Sequence, residues 1–165
     1  MSSVRPRTDD DVAACVELLA QVHRSDGYPV NWPARPGDWL SGASGLGAWV
    51  AERDGRVAGH ISLDSSGEGD VAPGLWGDPN RTAVVSRLFV TPEARGHGIG
   101  ALLMGEAVAE ARRLDLHPVL DVVATDTAAA ALYERLGWKL LATVEQHWSP
   151  TQAVTVHCYA APTAA

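Results

Sequence analysis

Apolar and polar residues alternate along this chain at two periods, and the switches between them mark its elements. Val4 to Arg7 reads as a short first strand. Thr8 can cap a following helix, with Asp9, Asp10 and Asp11 set favourably against its dipole. Val12, Val16, Leu19 and Val22 give that helix one apolar face as far as about Arg24. Residues 27–33 hold too many prolines and aromatics for regular helix, and a short helix is expected near Asp38 to Ser41. Strands 48–53 and 56–63 flank Asp54-Gly55, a strong hairpin signal. Residues 65–82, rich in glycine and proline around Trp76, predict a long irregular excursion.

After the excursion the pattern becomes regular again. Residues 84–90 form a β-branched strand, and Thr91-Pro92-Glu93-Ala94 a turn that ends it. From Ile99, the residues Leu102, Leu103, Ala107, Val108, Ala111 and Leu114 recur at three- and four-residue spacing, which predicts a helix over 98–114. A strand over 118–124, a helix over 127–136 and closing strands near 138–147 and 153–160 complete the order. Antiparallel strands thus lead into one β-helix-β crossover and then a final antiparallel pair.

The run Arg95-Gly96-His97-Gly98-Ile99-Gly100 lies between the strand and the crossover helix. Glycines let the backbone come close to a bulky anion, and a helix N-terminus offers unpaired N–H groups at a positive dipole end. Arg95 adds a permanent cation whose donor fork suits phosphate. The combination suits a pyrophosphate. Gly96-x-Gly98-x-x-Ala101 also satisfies the dinucleotide-binding pattern, and Asp121 stands about 20 residues further on. In that motif, however, the first glycine follows the strand directly, whereas here Thr91 to Arg95 intervene. Asp121 would also sit early in its strand rather than at the end.

Composition narrows the classes. A length of 165 residues suits one domain, and 46% hydrophobic residues exclude disorder over most of it. A formal net charge of −7 argues against a nucleic-acid binder. Cys15 falls in the first helix stripe and Cys158 in the last strand, and neither has the spacing of a zinc site or a redox pair. His23, His97, His147 and His157 are too scattered to suggest a metal site. The start of the sequence lacks an apolar stretch of signal-peptide type, and no window approaches a membrane span of roughly 18 apolar residues. These features predict a cytoplasmic protein without a membrane partner.

The strand, the Thr-Pro turn and Arg95-x-x-Gly98-x-Gly100 resemble the acetyl-CoA-binding motif of the GNAT superfamily of N-acetyltransferases. A second segment agrees. Residues 126–138, from Asp126 through Leu132-Tyr133 to Gly137-Trp138, resemble the family's N-x-x-A-x-x-LY-x-x-x-G-F helix, with Asp126 for the usual Asn and Trp138 for the usual Phe. The resemblance implies a mixed α/β (α+β) fold. Its centre would be a mostly antiparallel, twisted sheet of six to seven strands with a V-shaped splay between strands 4 and 5, flanked by about four helices. It would form a single domain over 1–165 with its specific motifs in 84–138.

The resemblance also implies roles. The backbone of Leu88, Phe89 and Val90 would hold the pantetheine arm of acetyl-CoA, and Arg95, Gly96, His97, Gly98, Ile99 and Gly100 would wrap its pyrophosphate. Asp126 would lie at the cofactor side of the second motif, although it also suits a helix N-cap. A main-chain N–H on the same strand would stabilise the oxyanion. Tyr133 matches the family's general acid, and a phenol of intrinsic pKa about 10 is a reasonable donor to a thiolate of about 8.5. It also suits a structural tyrosine packing its helix on the sheet. Some members place a Glu base on the central strand where this chain has Ser86. His60, Asp121, Asp126 or a relaying water are the remaining candidates, and His60 has the right intrinsic pKa.

Acceptor contacts are expected from Tyr28, Trp32, Arg87 and His147, with His23, Asp26, Trp39, Gln146 and Trp148 in the same segments and Trp76 offered by the long loop. Arg87 could hold an acceptor carboxylate or phosphate in a bidentate pair. Alternation along the strand puts Ser86 and Arg87 on opposite faces. The leading expectation is acetyl transfer to a small-molecule primary amine through a ternary complex. Acetylation of a protein or peptide amine, and a non-catalytic acyl-CoA sensor, stay open, as does a homodimer through the last strands.

Overall fold

The hairpin at Asp54-Gly55 sets the register of the first strands. Both residues take positive φ, 52° and 78°, the left-handed pair that a tight two-residue turn requires. In the computed structural model, which describes residues 2–163, the strands on either side are β2 (Gly47–Arg53) and β3 (Arg56–Ser65), with β1 (Ser2–Pro6) before them. Two helices stand between β1 and β2: α1 (Val12–Asp26) and α2 (Pro36–Ser41). Then follow α3 (Ala72–Trp76), β4 (Thr82–Val90), α4 (Ile99–Arg113) and β5 (His117–Val123). The chain ends with α5 (Thr127–Arg135), β6 (Lys139–Ser149) and β7 (Gln152–Ala160).

Hydrogen bonding orders the seven strands β1-β2-β3-β4-β5-β7-β6. The β4–β5 pair is parallel, whereas β1–β2, β2–β3, β5–β7 and β6–β7 are antiparallel. This is the mixed, mostly antiparallel sheet the sequence predicts. The β4–β5 ladder runs only from Thr82 to Val84 against His117 to Val119. Among the described residues there are five α-helices rather than about four. The extra one, α3, lies in the expected irregular excursion. Its first N–H groups are satisfied by Asp121, some fifty residues away, a partner no local pattern reveals.

Contacts group the described chain into two units. One comprises residues 1–64 and 85–110. Its core gathers Cys15, Leu18, Leu19 and Val22 of α1 with Leu40, Val50 and Phe89, and Tyr28, Trp39 and Val57 pack against them. The helix start differs from the simple cap expected at Thr8. A 3-10 turn, Asp9–Asp11, precedes α1. The Asp11 carboxylate accepts the Thr8 N–H at 2.7 Å and hydroxyl at 3.1 Å, and takes both terminal nitrogens of Arg5 at 2.7 and 2.8 Å. Hydrogen bonds from Arg5 hold this buried carboxyl well below the usual carboxylate range. At its far end α1 runs two residues past Arg24 and stops at Gly27, where φ is 76°.

The other unit comprises, among the described residues, 65–84 and 111–163. Its core joins Ala72 and Val84 to Val119, Val156, Cys158 and Ala160. Both cysteines are buried thiols, and burial pushes Cys15 up to about 11 and Cys158 up to about 12. Three tryptophans (Trp32, Trp76 and Trp148) are exposed, whereas Trp49 and Trp138 are buried. No helix among the described residues is long and apolar enough to cross a membrane.

Candidate active site

In the first unit, β4 runs into the glycine loop through a short, fixed turn. The Thr91 N–H donates to the Ala58 carbonyl at 2.9 Å, and Pro92–Ala94 form a 3-10 turn. Gly96 and Gly98 have φ of 83° and 74°. A side chain at either would meet no atom within 4 Å, so these glycines serve backbone geometry and open access rather than packing. The loop is exposed up to Gly98, and Ile99, only 2% exposed, anchors the start of α4. Gly59 of β3 has the opposite role. A Cβ there would stand 3.0 Å from Leu103, 3.2 Å from Ile99 and 3.2 Å from the Phe89 carbonyl, so Gly59 sets how closely α4 seats. Sequence reasoning missed it, because a glycine inside a strand carries no sign of what approaches it.

Arg95 is held in place. Its guanidinium donates to the Val90 carbonyl at 3.2 Å and lies 2.5 Å from the Asp26 carboxylate. That hydrogen bond lowers the pKa of Asp26. The arginine, the two left-handed glycines and the N–H groups of the first turn of α4 therefore form one continuous stretch that fits a pyrophosphate.

Leu88, Phe89 and Val90 directly precede this loop. Phe89 is buried, its ring centroid 5.1 Å from that of His60 and 6.4 Å from that of Tyr28. The strand is not regular here. Arg87 has φ of 52°, so the alternation expected of Ser86 and Arg87 breaks at this residue. Its guanidinium carbon sits 4.2 Å from the centroid of Trp39, a cation–π contact, and Tyr28 meets Trp39 edge-on at 6.4 Å. Arg87, Tyr28, Phe89 and His60 are thus brought together. Trp32 stands by itself, 41% exposed and tilted against His23 at 5.3 Å.

His60 is not the open base its intrinsic pKa suggests. It is fully buried, its Nδ1 lies 2.9 Å from the Arg87 carbonyl, and Arg7 donates to its Nε2 at 2.9 Å. Burial lowers its pKa to about 4. The lone pair that would accept a proton already holds an arginine N–H.

In the second unit, Tyr133 is buried, 6.0 Å from Trp138 and 5.9 Å from Tyr159 between ring centroids. The Trp138 main-chain N–H donates to the Tyr133 carbonyl at 3.0 Å across Gly137, where φ is 83°. Asp126 caps α5 by accepting the Ala129 N–H at 3.2 Å. Asp121, a candidate base, accepts the N–H groups of Val71 and Ala72 at 2.7 and 2.9 Å. Both its oxygens are committed to starting α3. His147 is exposed and 3.2 Å from Glu145. Trp148 donates to Gln146, which itself donates to the Gly69 carbonyl. Trp76 stacks on His117 at 4.7 Å. Among the described residues no three His, Cys, Asp or Glu side chains converge as metal ligands.

The model of the acetyltransferase (GNAT) family matches residues 12–138, which carry both the glycine loop and the Tyr133 helix. The chain belongs to this family. A relative, an uncharacterized N-acetyltransferase of Methanocaldococcus jannaschii, is 27% identical over 142 residues. The match takes in 83% of this chain and 60% of the relative, so the chain spans about three fifths of that protein's length. Among solved structures, a presumed phosphinothricin N-acetyltransferase superposes with a TM-score of 0.74 at 21% identity, over 100% of both chains. A presumed acetyltransferase of Salmonella typhimurium, solved with its cofactor acetyl-CoA, gives 0.69 at 20% identity over 96% of this chain and 92% of its own. This chain shares its fold with both structures.

Proposed function

We propose that this chain transfers the acetyl group of acetyl-CoA to the primary amine of a small molecule, by direct attack within a ternary complex. The observation that carries the reading is the loop itself: Arg95 followed by left-handed Gly96 and Gly98 at the start of α4. Acetyl-CoA is a substrate here, the acyl donor. Arg95 to Gly100 would hold its pyrophosphate, and the backbone of Leu88 to Val90 its pantetheine arm. The ladder supports this, since only the first three residues of β4 pair with β5.

The acceptor nitrogen attacks the thioester carbonyl carbon, and the electron pair moves onto the carbonyl oxygen. A main-chain N–H of β4 stabilises that charge. As the pair returns, the carbon–sulfur bond breaks and the thiolate takes a proton from the Tyr133 phenol. With His60 and Asp121 engaged elsewhere, the amine arrives neutral, its nitrogen sheds a proton to water once it is bonded to the carbonyl carbon, and water returns a proton to the Tyr133 phenolate. Tyr28 and Arg87 line the acceptor side in the first unit. Arg87, braced on Trp39, favours an acceptor that carries a carboxylate or phosphate beside its amine.

Calorimetric titration with acetyl-CoA and, separately, with NADH tests the donor. Mass spectrometry of amino acids, amino sugars, aminoglycosides, polyamines and lysine peptides incubated with acetyl-CoA tests the acceptor. Binding of acetyl-CoA alone, with N-acetylation of a small amine, is the expected result. Preference for NADH, or acetylation confined to the peptides, contradicts the reading.

A further inference from the structure

His60 has one partner that can only donate and one that can only accept. The Arg7 guanidinium must donate to Nε2, so Nε2 carries the lone pair. Nδ1 then carries the hydrogen and donates it to the Arg87 carbonyl. The two contacts select one neutral tautomer, and the ring is clamped flat on Phe89 at an interplanar angle of 16°. Arg7 is fixed in turn by the Ser44 hydroxyl at 3.0 Å and the Leu40 carbonyl at 3.3 Å.

The accepting carbonyl belongs to the irregular residue of β4. A left-handed φ at a long side chain is strained and persists only where the surroundings hold it. The His60 N–H is such a hold. A trans peptide is planar, so the Arg87 carbonyl and the Leu88 N–H point in opposite directions from one rigid plane. Fixing the carbonyl toward His60 fixes the N–H away from it.

We propose that His60, with its tautomer locked by Arg7, is a positioning residue that holds the Arg87–Leu88 peptide so that the Leu88 N–H meets the developing oxyanion of the thioester. This rests on the acetyl-transfer reading and gives its backbone donor a specific atom and a specific brace. His60 takes no proton and touches no substrate. When the amine nitrogen bonds to the carbonyl carbon, the displaced electron pair sits on the oxygen opposite Leu88. It returns as the carbon–sulfur bond breaks and the thiolate is protonated.

Two substitutions separate this role from packing and from base catalysis. The amide nitrogen of Asn can stand where Nδ1 stands, whereas that of Gln reaches toward Nε2. In acceptor-dependent turnover, His60→Asn should keep kcat within about threefold, and His60→Gln should lower it by roughly 10- to 100-fold. KM for acetyl-CoA should stay within about twofold in both, with similar thermal midpoints. Equal losses of kcat in both variants, or in neither, overturn the proposal. Imidazole 15N shifts read the brace without turnover: a neutral Nδ1–H ring near pH 7 is expected, and an Nε2–H ring or an imidazolium contradicts it. A wild-type chain with the expected tautomer that acetylates no amine refutes acetyl transfer, leaves the geometry at Arg87 standing and removes the positioning role.

Discussion

The Arg95 guanidinium stands 2.5 Å from the Asp26 carboxylate, so the glycine loop is tied to the last turn of α1. An acid at a helix C-terminus opposes the dipole, and Arg95 offsets that charge. It also means that the cation proposed for the pyrophosphate already has an anion. Both side chains are about 40% exposed, at 41% and 38%, so the pair itself contributes on the order of 0.2–1 kcal/mol. Arg95→Ala should weaken acetyl-CoA binding by about tenfold or more, the worth of one charge-assisted contact. Asp26→Asn should strengthen it by up to about fivefold, because the competing anion is gone. Calorimetric dissociation constants decide, and weaker binding in Asp26→Asn would mean that Asp26 presents Arg95 rather than competes for it.

The buried His60 makes folding stability depend on pH. Its pKa is 6.5 in the open chain and about 4 in the fold, chiefly through burial. Because the folded value is the lower one, the unfolded chain binds the proton first as pH falls. The contribution is present in full above 6.5 and is lost as pH drops toward 4, by about 3 kcal/mol at most. Below about 4 the depressed Asp11 carboxyl adds a further loss. Urea midpoints of the wild type should fall between pH 7 and 5, and those of His60→Asn should fall distinctly less. Parallel slopes would contradict the assignment.

Asp121 separates structure from catalysis. Asp121→Ala would leave the N–H groups of Val71 and Ala72 without their acceptor, at a cost of about 1–3 kcal/mol. Turnover of the folded protein should stay within about threefold. A general base would instead lose roughly 100- to 10,000-fold. Thermal melts beside initial rates tell the two apart.

The loop and the Tyr133 helix were legible because local rules write them. Glycines at left-handed positions, an arginine before them and a helix period after them occupy consecutive residues. The Asp54-Gly55 hairpin was legible for the same reason. What stayed hidden depends on partners distant in the chain. His60 reads as a half-buried strand residue with a suitable pKa, and only Arg7 and the Arg87 carbonyl, 53 and 27 residues away, give it another role. Asp121 likewise reads as a candidate base until the amides of α3 arrive. The irregularity at Arg87 breaks the two-residue alternation without a glycine to announce it. Asp11 looked like one of three dipole-facing acids, and Arg5 makes it a buried anchor instead.

The central claim is acetyl transfer with Tyr133 as proton donor to the leaving thiolate, and free CoA thiol released from acetyl-CoA in the presence of an accepted amine measures it directly. The account predicts release that depends on the amine and falls by about 100-fold or more in Tyr133→Phe, with acetyl-CoA binding intact. Release unchanged in Tyr133→Phe would contradict the phenol's role. A wild-type chain that binds acetyl-CoA yet releases no thiol with any amine would contradict acetyl transfer itself.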